Sequence, residues 1–425
     1  MGITDAIIQA SLAEGVQTKD EFLDFKRRMA GAAGVRIPPT SALRRAYEAR
    51  VAGDPALRNP ALEKILTRRE VRSLSGVTVV TVLTKPYACP GKCVYCPTEA
   101  IMPKSYLSNE PAAMRALLNR FDPWRQVTSR LRALTGNGHA ADKIELIVKG
   151  GTWSAYPWDY RQWFIKRCFD ACNSFGEKRE KRKVKRTATL AAAQKANETA
   201  RRRIIGITLE TRPDWITPAE IVRLRMLGCT RVELGVQSVN DAVLAMTKRG
   251  HDVASVVAAA RLLKDAGYKT DFHMMPQLPG ATPASDLADL KAIFDDPRFR
   301  PDMIKIYPCV TLELAELHRW WKEGRYAPYS DAKLIDVLMK AKMGVPRYCR
   351  ISRLIRDIPS TSIVAGNAVT NLRQVVQEKM RARGLSCACL RCREIGRAAQ
   401  TDPSLAEAKP VFFDDPRFRP DMIKI

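Results

Sequence analysis

Histidine is scarce in this chain, with four residues among 425. His139, His251, His273 and His318 stand in no serine or cysteine motif, so no nucleophilic constellation of the triad kind is present. Core or hydrogen-bonding roles are expected for most of them. The sequence has no Walker loop and no Gly-x-Gly-x-x-Gly turn, which leaves ATP and NAD chemistry unsupported. It has no apolar run longer than a few residues, so no membrane-spanning helix is expected. The start, Met-Gly-Ile-Thr-Asp-Ala, reads neither as a signal peptide nor as a myristoylation site, and a cytoplasmic protein without a membrane partner is expected. Acidic side chains are also in deficit: 45 Asp and Glu face 71 Lys and Arg, a formal charge of +26. That excess calls for a polyanionic partner, and nucleic acid is the first candidate. A membrane surface fits less well, because no basic amphipathic helix with an aromatic face is found.

Cysteine is what the chain does have. Of eleven, six fall in two tight groups, 89/93/96 and 387/389/392. A disulfide framework would scatter them, and metal binding is the better account. Cys89, Cys93 and Cys96 lie in Cys-Pro-Gly-Lys-Cys-Val-Tyr-Cys, directly after the apolar segment Val77 to Leu83. Three thiolates on one loop can hold three irons of a [4Fe–4S] cube and leave the fourth open, which is what S-adenosylmethionine (SAM) needs to chelate. The x3-then-x2 spacing, with Tyr95 before the last cysteine, resembles the signature of radical-SAM enzymes. A structural zinc loop is the alternative, although such sites usually come as paired Cys-x2-Cys knuckles.

From residue 77 strand-like and helix-like segments alternate. Val77–Thr84, Ile144–Lys149, Ile204–Thr211, Arg231–Ser238, Lys269–Pro276 and Met303–Cys309 read as strands, each followed by a helical stretch. Six such units predict an α/β fold, a partial (β/α)6 TIM-type radical-SAM barrel over 76–330. An open parallel sheet would alternate in the same way. Residues 1–75 read as helical, and the eight basic against four acidic side chains from Arg44 to Arg72 suit an RNA-binding region. Between the second and third strands, residues 178–203 carry a net charge of +9, from eleven basic and two acidic residues. Lys178, Arg179, Lys181, Arg182, Lys183, Lys185, Arg186, Arg201, Arg202 and Arg203 are the expected RNA contacts. Residues 331–412 form a C-terminal extension with a helix, a possible strand at Tyr348–Ile355, another helix and the second cysteine group. Residues 413–425 repeat Phe294–Ile306 letter for letter without matching flanks. That reads as an artefact of sequence assembly and carries no functional expectation.

In a barrel the chemistry gathers at the C-terminal ends of the strands. There the second strand offers Gly150, Gly151 and Thr152, a turn that in radical-SAM enzymes hydrogen-bonds the SAM amino group. The third offers Glu210 and Arg212, and the fourth Gln237 and Ser238, groups able to bind ribose hydroxyls and a carboxylate. Each of these taken singly reads equally as a strand-end cap. Cys387, Cys389 and Cys392 lack a nearby fourth ligand for tetrahedral zinc, and Cys309, at the end of the sixth strand, is expected to supply it.

The segments Lys104–Arg115, Glu210-Thr-Arg-Pro-Asp214, Arg231–Ser238, Lys248-Arg-Gly-His251, His273-Met-Met-Pro276, Pro301–Pro308 and Gly324-Arg-Tyr326 are similar to those of the Elongator catalytic subunit family, over about 75–397. The resemblance implies action on the wobble uridine, position 34, in the anticodon stem–loop of tRNA, with self-association or Elongator-like subunits as partners. It further implies that a 5′-deoxyadenosyl radical takes hydrogen from the methyl group of acetyl-CoA. The carbon radical then adds to C5 of the uridine, and thioester hydrolysis leaves a carboxymethyl group. Two departures stand out. The first gap in the cysteine loop is shorter than in many members. The chain stops soon after the second cysteine group, where the family's acetyltransferase-like domain should begin, so this polypeptide is expected to bind tRNA and SAM without that domain. The alternatives are another radical-SAM tRNA-modifying enzyme, such as a methylthiotransferase, and an RNA-binding metalloprotein scaffold.

Overall fold

Proline is abundant, with 26 residues, and the fold uses it to start helices. Its fixed φ and missing N–H suit the first helical turn. Pro60, Pro111, Pro123, Pro218 and Pro283 each open a helix, and Asn59, Asp122, Thr217 and Thr282 cap four of these by accepting a backbone N–H. The computed structural model describes residues 2–67, 75–176 and 187–395. The basic residues 178–186 and the repeated segment 413–425 lie outside the described residues.

Four helices, α1 (Ile3–Ala13), α2 (Lys19–Ala32), α3 (Thr40–Gly53) and α4 (Pro60–Leu66), come first. They close over a core of their own that includes Ile7, Ile8, Phe22, Leu43, Tyr47 and Leu66. Thr18 and Glu21 form a capping box at the start of α2. The chain then alternates through β1 (Thr78–Leu83), α5 (Pro111–Leu118), α6 (Pro123–Thr135), β2 (Lys143–Lys149), α7 (Trp158–Ser174), α8 (Leu190–Asn197), β3 (Arg203–Thr211), α9 (Pro218–Met226) and β4 (Arg231–Gln237). It continues with α10 (Asp241–Met246), α11 (Val253–Asp265), β5 (Lys269–Met274), α12 (Pro283–Asp295), β6 (Met303–Ile306), β7 (Thr311–Leu312), α13 (Glu316–Lys322), α14 (Asp331–Gly344), β8 (Arg350–Arg353), β9 (Ile363–Ala365) and α15 (Leu372–Ala382).

Seven strands form one parallel sheet in the order β1-β2-β3-β4-β5-β6-β8, and β7 pairs with β9 antiparallel in a small second sheet. Strands added in sequence order, each returned by helix, curl a sheet into a barrel, and here β1 and β8 remain as open edges. The fold is the expected partial barrel with one strand more than the six that the alternation suggested. The additional strand, β8, comes from the 348–355 segment and pairs with β6 from Met303↔Arg350. The helix α14 before it supplies one further crossover. Valines, isoleucines and leucines of the strands pack with the inner faces of α6, α7, α9, α11, α12, α14 and α15 in a single core that also takes in Cys389. Among the described residues no helix is long and apolar enough to cross a membrane.

Candidate active site

The C-terminal end of the sheet holds the expected cysteine loop. The Cys89 and Cys93 sulfurs lie 3.6 and 3.5 Å from the point where a side chain on Gly91 would begin, so both thiols face one small space. Thr152, in the turn after β2, brings its hydroxyl within 3.6 Å of Cys89 Sγ. Arg249 donates to Cys93 Sγ at 3.4 Å from a buried position. A hydrogen bond from the Cys96 thiol, and then the Arg249 guanidinium, draw the Cys93 thiol down to about 4 against the effect of burial. A thiolate is the form that binds iron. One further atom marks the space as a ligand site. Arg212 pairs with both oxygens of Asp214 at 2.9 Å, yet its other terminal nitrogen is buried without a partner. That nitrogen lies 2.8 Å from the same point beside Gly91. A buried N–H donor left without an acceptor is costly unless something occupies the space it faces. The donor set and the orphaned nitrogen fit an iron–sulfur cluster with a polar ligand beside it.

Cys93 and Cys96 border a cavity of about 370 Å³, lined also by Lys92, Thr98, Lys104, Lys248, Leu314 and Glu316. The turn Gly150-Gly151 closes against β1. A Cβ on Gly150, where φ is +143°, would stand 1.8 Å from Thr84 Oγ1, the atom that shares a 2.7 Å hydrogen bond with the Tyr156 hydroxyl. Gly150→Ala is therefore expected to push Thr152 away from Cys89 and lower Tm by several degrees, on top of roughly 1–3 kcal/mol of backbone strain. Gly151→Ala, whose Cβ meets nothing nearer than the Lys104 carbonyl at 3.6 Å, carries the backbone cost alone. Thermal melts of the two variants check the difference.

The other expected residues are distributed differently. Gln237 takes a left-handed conformation, φ 74°, where the β4–β5 register slips, and its Oε1 is buried without a partner. It therefore remains available to a ligand. Ser238 does not: its hydroxyl donates to the Asp289 carboxylate and accepts from Asn240 N, which makes it a turn residue. Glu210 points into the barrel, where sequence reasoning missed a charged network. Lys149 bridges Glu210, at 3.0 Å, and Glu233. His273 lies between the same two carboxylates, 3.4 Å from Glu210 and 3.0 Å from Glu233. Lys305 pairs with Glu233, and Tyr106 donates to Glu210 at 3.1 Å. Burial alone would raise both carboxyls, but Lys149, helped by His273 at Glu210 and by Lys305 at Glu233, holds each well below the usual range. The sequence signal was a charged residue inside otherwise apolar strands, as in Arg-Val-Glu-Leu-Gly-Val. Arg249 was visible only as part of the Lys248–His251 run.

Behind the loop after β5, Asp286 accepts from Gln277 N at 2.7 Å and from the Tyr329 hydroxyl at 2.9 Å. Burial pushes its carboxyl up from 3.8 to about 6. Between those values the folded state holds a proton that the unfolded state lacks, so this contribution to stability falls as pH rises through 6. Asp286→Asn is expected to gain stability relative to the parent at pH 7 and to lose that advantage at pH 4. Urea unfolding at the two pH values measures it.

The second cysteine group converges: the sulfurs of Cys387, Cys389 and Cys392 lie within 4.8 Å of one another, the one such set of possible metal ligands among the described residues. Two Zn–S bonds of about 2.3 Å at a tetrahedral angle put sulfurs about 3.8 Å apart, so the set matches a single ion. Lys342 is fully buried with its ammonium 3.8 Å from Cys392 Sγ, where an anionic thiolate would balance it. Cys309 is not brought to this group. β6 and β8 run parallel, and Leu390 bonds the Cys349 carbonyl just before β8 begins. The three cysteines therefore sit at the N-terminal end of the sheet. Cys309 lies past the C-terminal end of β6, packed with Leu278, Trp320 and Tyr326. Arg201, Arg202 and Arg203 also sit at the N-terminal end, where β3 starts, with Arg202 half-buried over the Phe175 ring. They are remote from the cysteine loop.

Against known proteins, the radical SAM superfamily profile matches residues 83–290 and the radical SAM C-terminal domain profile residues 301–382. The chain is 44% identical over 325 residues to the tRNA uridine(34) acetyltransferase of Dehalococcoides mccartyi, covering 76% of this chain and 68% of that one. It is 35% identical over 402 residues to Elongator complex protein 3 of Bos taurus, covering 92% and 71%. The chain belongs to the Elongator complex protein 3 family of radical SAM proteins. To the tRNA uridine(34) acetyltransferase of Methanocaldococcus infernus it is 46% identical over 338 residues, and it spans 61% of that relative's length. A solved structure of the M. infernus Elp3 with its N-terminus deleted superposes with a TM-score of 0.67 at 40% identity, covering 77% of this chain and 68% of that one. Membership of this family implies a [4Fe–4S] cluster and SAM, the groups that the cysteine loop fits.

Proposed function

We propose that this chain is the radical-SAM part of a tRNA-modifying enzyme that forms the 5-carboxymethyl group on wobble uridine 34, with acetyl-CoA as co-substrate. The reading is carried by one observation: the Cys89 and Cys93 thiols and an orphaned guanidinium nitrogen face one space at the barrel mouth of a chain 44% identical to a tRNA uridine(34) acetyltransferase. Cys89, Cys93 and Cys96 would hold the cluster. A bound cluster would supply the electron, drawn from an external reductant, for cleaving SAM into methionine and the 5′-deoxyadenosyl radical that would take hydrogen from the acetyl methyl group. Arg249 neutralises the thiolates, Arg212 and Gln237 offer their unpartnered atoms to SAM, and the Gly150–Thr152 turn fixes the loop. The Lys149, Glu210, Glu233, His273 and Lys305 network keeps the lumen polar and rigid beneath the reacting groups.

In the same reading Cys387, Cys389 and Cys392 bind zinc and staple the 331–412 extension to the barrel. The helical 1–75 region and the basic 178–203 segment bind RNA phosphates of the anticodon stem–loop, in a cytoplasmic protein. Acetyl-CoA is the co-substrate the reaction requires, whichever polypeptide segment binds it. The test is anaerobically reconstituted protein with reductant, SAM, acetyl-CoA and tRNA, read by mass spectrometry of the nucleosides and by release of 5′-deoxyadenosine. Carboxymethylated uridine 34 is expected. A methylthio product would move the assignment to another tRNA-modifying class. Tight RNA binding with SAM never cleaved would make the chain a binding scaffold.

A further inference from the structure

Beside the cysteine loop runs a stack of rings that the chemistry above does not use. Tyr87 stacks on Tyr156 (centroids 4.8 Å apart, 29° between planes), Tyr156 on Tyr160 (5.2 Å, 24°), and Tyr160 leans on Trp163 (5.6 Å, 33°). The stack is pinned at its centre. The Tyr156 hydroxyl donates to the Lys85 carbonyl at 2.7 Å, and the Tyr160 hydroxyl accepts from the Lys85 N–H at 3.1 Å. Behind it, Trp153 and Phe164 pack edge-on at 5.9 Å. Tyr156 is buried, whereas Tyr87 is 42% exposed. Tyr87 therefore has one face fixed and the other open to solvent, two residues ahead of Cys89. The surroundings are cationic: Lys85 is exposed with its ammonium 5.1 Å from the Tyr160 ring centre, and Lys92 is exposed within the cysteine loop.

We propose that the open face of Tyr87 seats an unpaired base of the RNA substrate next to the uridine that enters the site, with Lys85 against the adjoining phosphate. This rests on the RNA-modifying reading above. Single-stranded RNA is held by just this pairing of a rigid aromatic face with nearby cations, and stacking tolerates any base. A single open ring among lysines, in a chain of net charge +26, suits a base better than an apolar protein surface, which needs a broader patch.

The test measures binding of an anticodon stem–loop RNA carrying 2-aminopurine beside the target uridine, to the parent, Tyr87→Phe and Tyr87→Ala proteins. Parent and Tyr87→Phe should bind alike and quench the fluorophore. Tyr87→Ala should bind roughly 5- to 100-fold more weakly without quenching. Its salt dependence should match the parent's, because no phosphate contact is lost. Unchanged binding and quenching in Tyr87→Ala would overturn the proposal, as would Tyr87→Phe falling with it. So would weaker acetyl-CoA binding by Tyr87→Ala in the absence of RNA, which would give the face to that cofactor's adenine. A parent protein that does not bind the RNA at all overturns the RNA-modifying reading as well, whereas an unaffected Tyr87→Ala leaves that reading standing.

Discussion

Replacing Cys93 with alanine is expected to abolish iron retention and SAM cleavage together. A cube with one open iron depends on all three thiolates, because each holds a different iron. Cys93 is the most enclosed of the three and the one that Arg249 addresses directly. Without it the guanidinium keeps its bond to the Gly235 carbonyl but loses its anionic partner. Anaerobic reconstitution followed by an iron count and electron paramagnetic resonance of the reduced protein gives the readout. The parent should hold about four irons and show a signal that shifts when SAM is added, while Cys93→Ala shows neither. Cys309→Ala is the informative control: its thiol is buried among Leu278, Trp320 and Tyr326, and the iron should remain. A Cys93→Ala protein with a full complement of iron would remove the loop from the active site.

Much of this arrangement was legible in the sequence because it is local. Alternating apolar segments gave the first six strands of the parallel sheet to within a few residues and β8 as a possible strand, whereas the short β7 and β9 went unread. The cysteine loop and the Gly150-Gly151 turn carry their meaning within a few positions. What could not be read depends on register. Glu210 pairs with Glu233, and Glu233 with Asp271, across β3, β4 and β5, while His273 pairs with Lys305 across β5 and β6. Residues 23 to 38 positions apart thus become neighbours only once the parallel ladder is set. Cys309 failed for a related reason. Closeness to a strand end says nothing about which end of the barrel a later segment returns to, and β8 brings the second cysteine group back to the opposite one. The Ser238 hydroxyl is taken up by Asp289, 51 positions further along the chain, a partner that no local pattern announces.

That register makes Glu233 the residue whose loss should matter most to stability. Three neighbouring strands put carboxylates side by side, an arrangement that self-repulsion would break were the cations not interleaved. Glu233 is 1% exposed and receives Lys149, His273 and Lys305. Glu233→Gln keeps the shape and removes the charge, leaving Lys149 with Glu210 alone and Lys305 with only Asp271, 4.0 Å away. Breaking a buried ion cluster from one side costs about 3–5 kcal/mol, more than removing both partners. The double variant Glu233→Gln with Lys305→Met is therefore expected to be more stable than Glu233→Gln alone, and urea unfolding through a double-mutant cycle would measure the coupling. The pH profile supplies an independent readout. Burial already pulls the Lys305 ammonium down to about 8, with Glu233 resisting. Between that value and 10.5 the unfolded chain binds a proton that the folded chain does not, so stability rises with pH across the window. Without Glu233 the lower edge of the window moves down. The single variant should then recover part of its deficit between pH 7 and 8, where the parent's stability changes little on this account. A deficit independent of pH would assign the loss to packing rather than to charge.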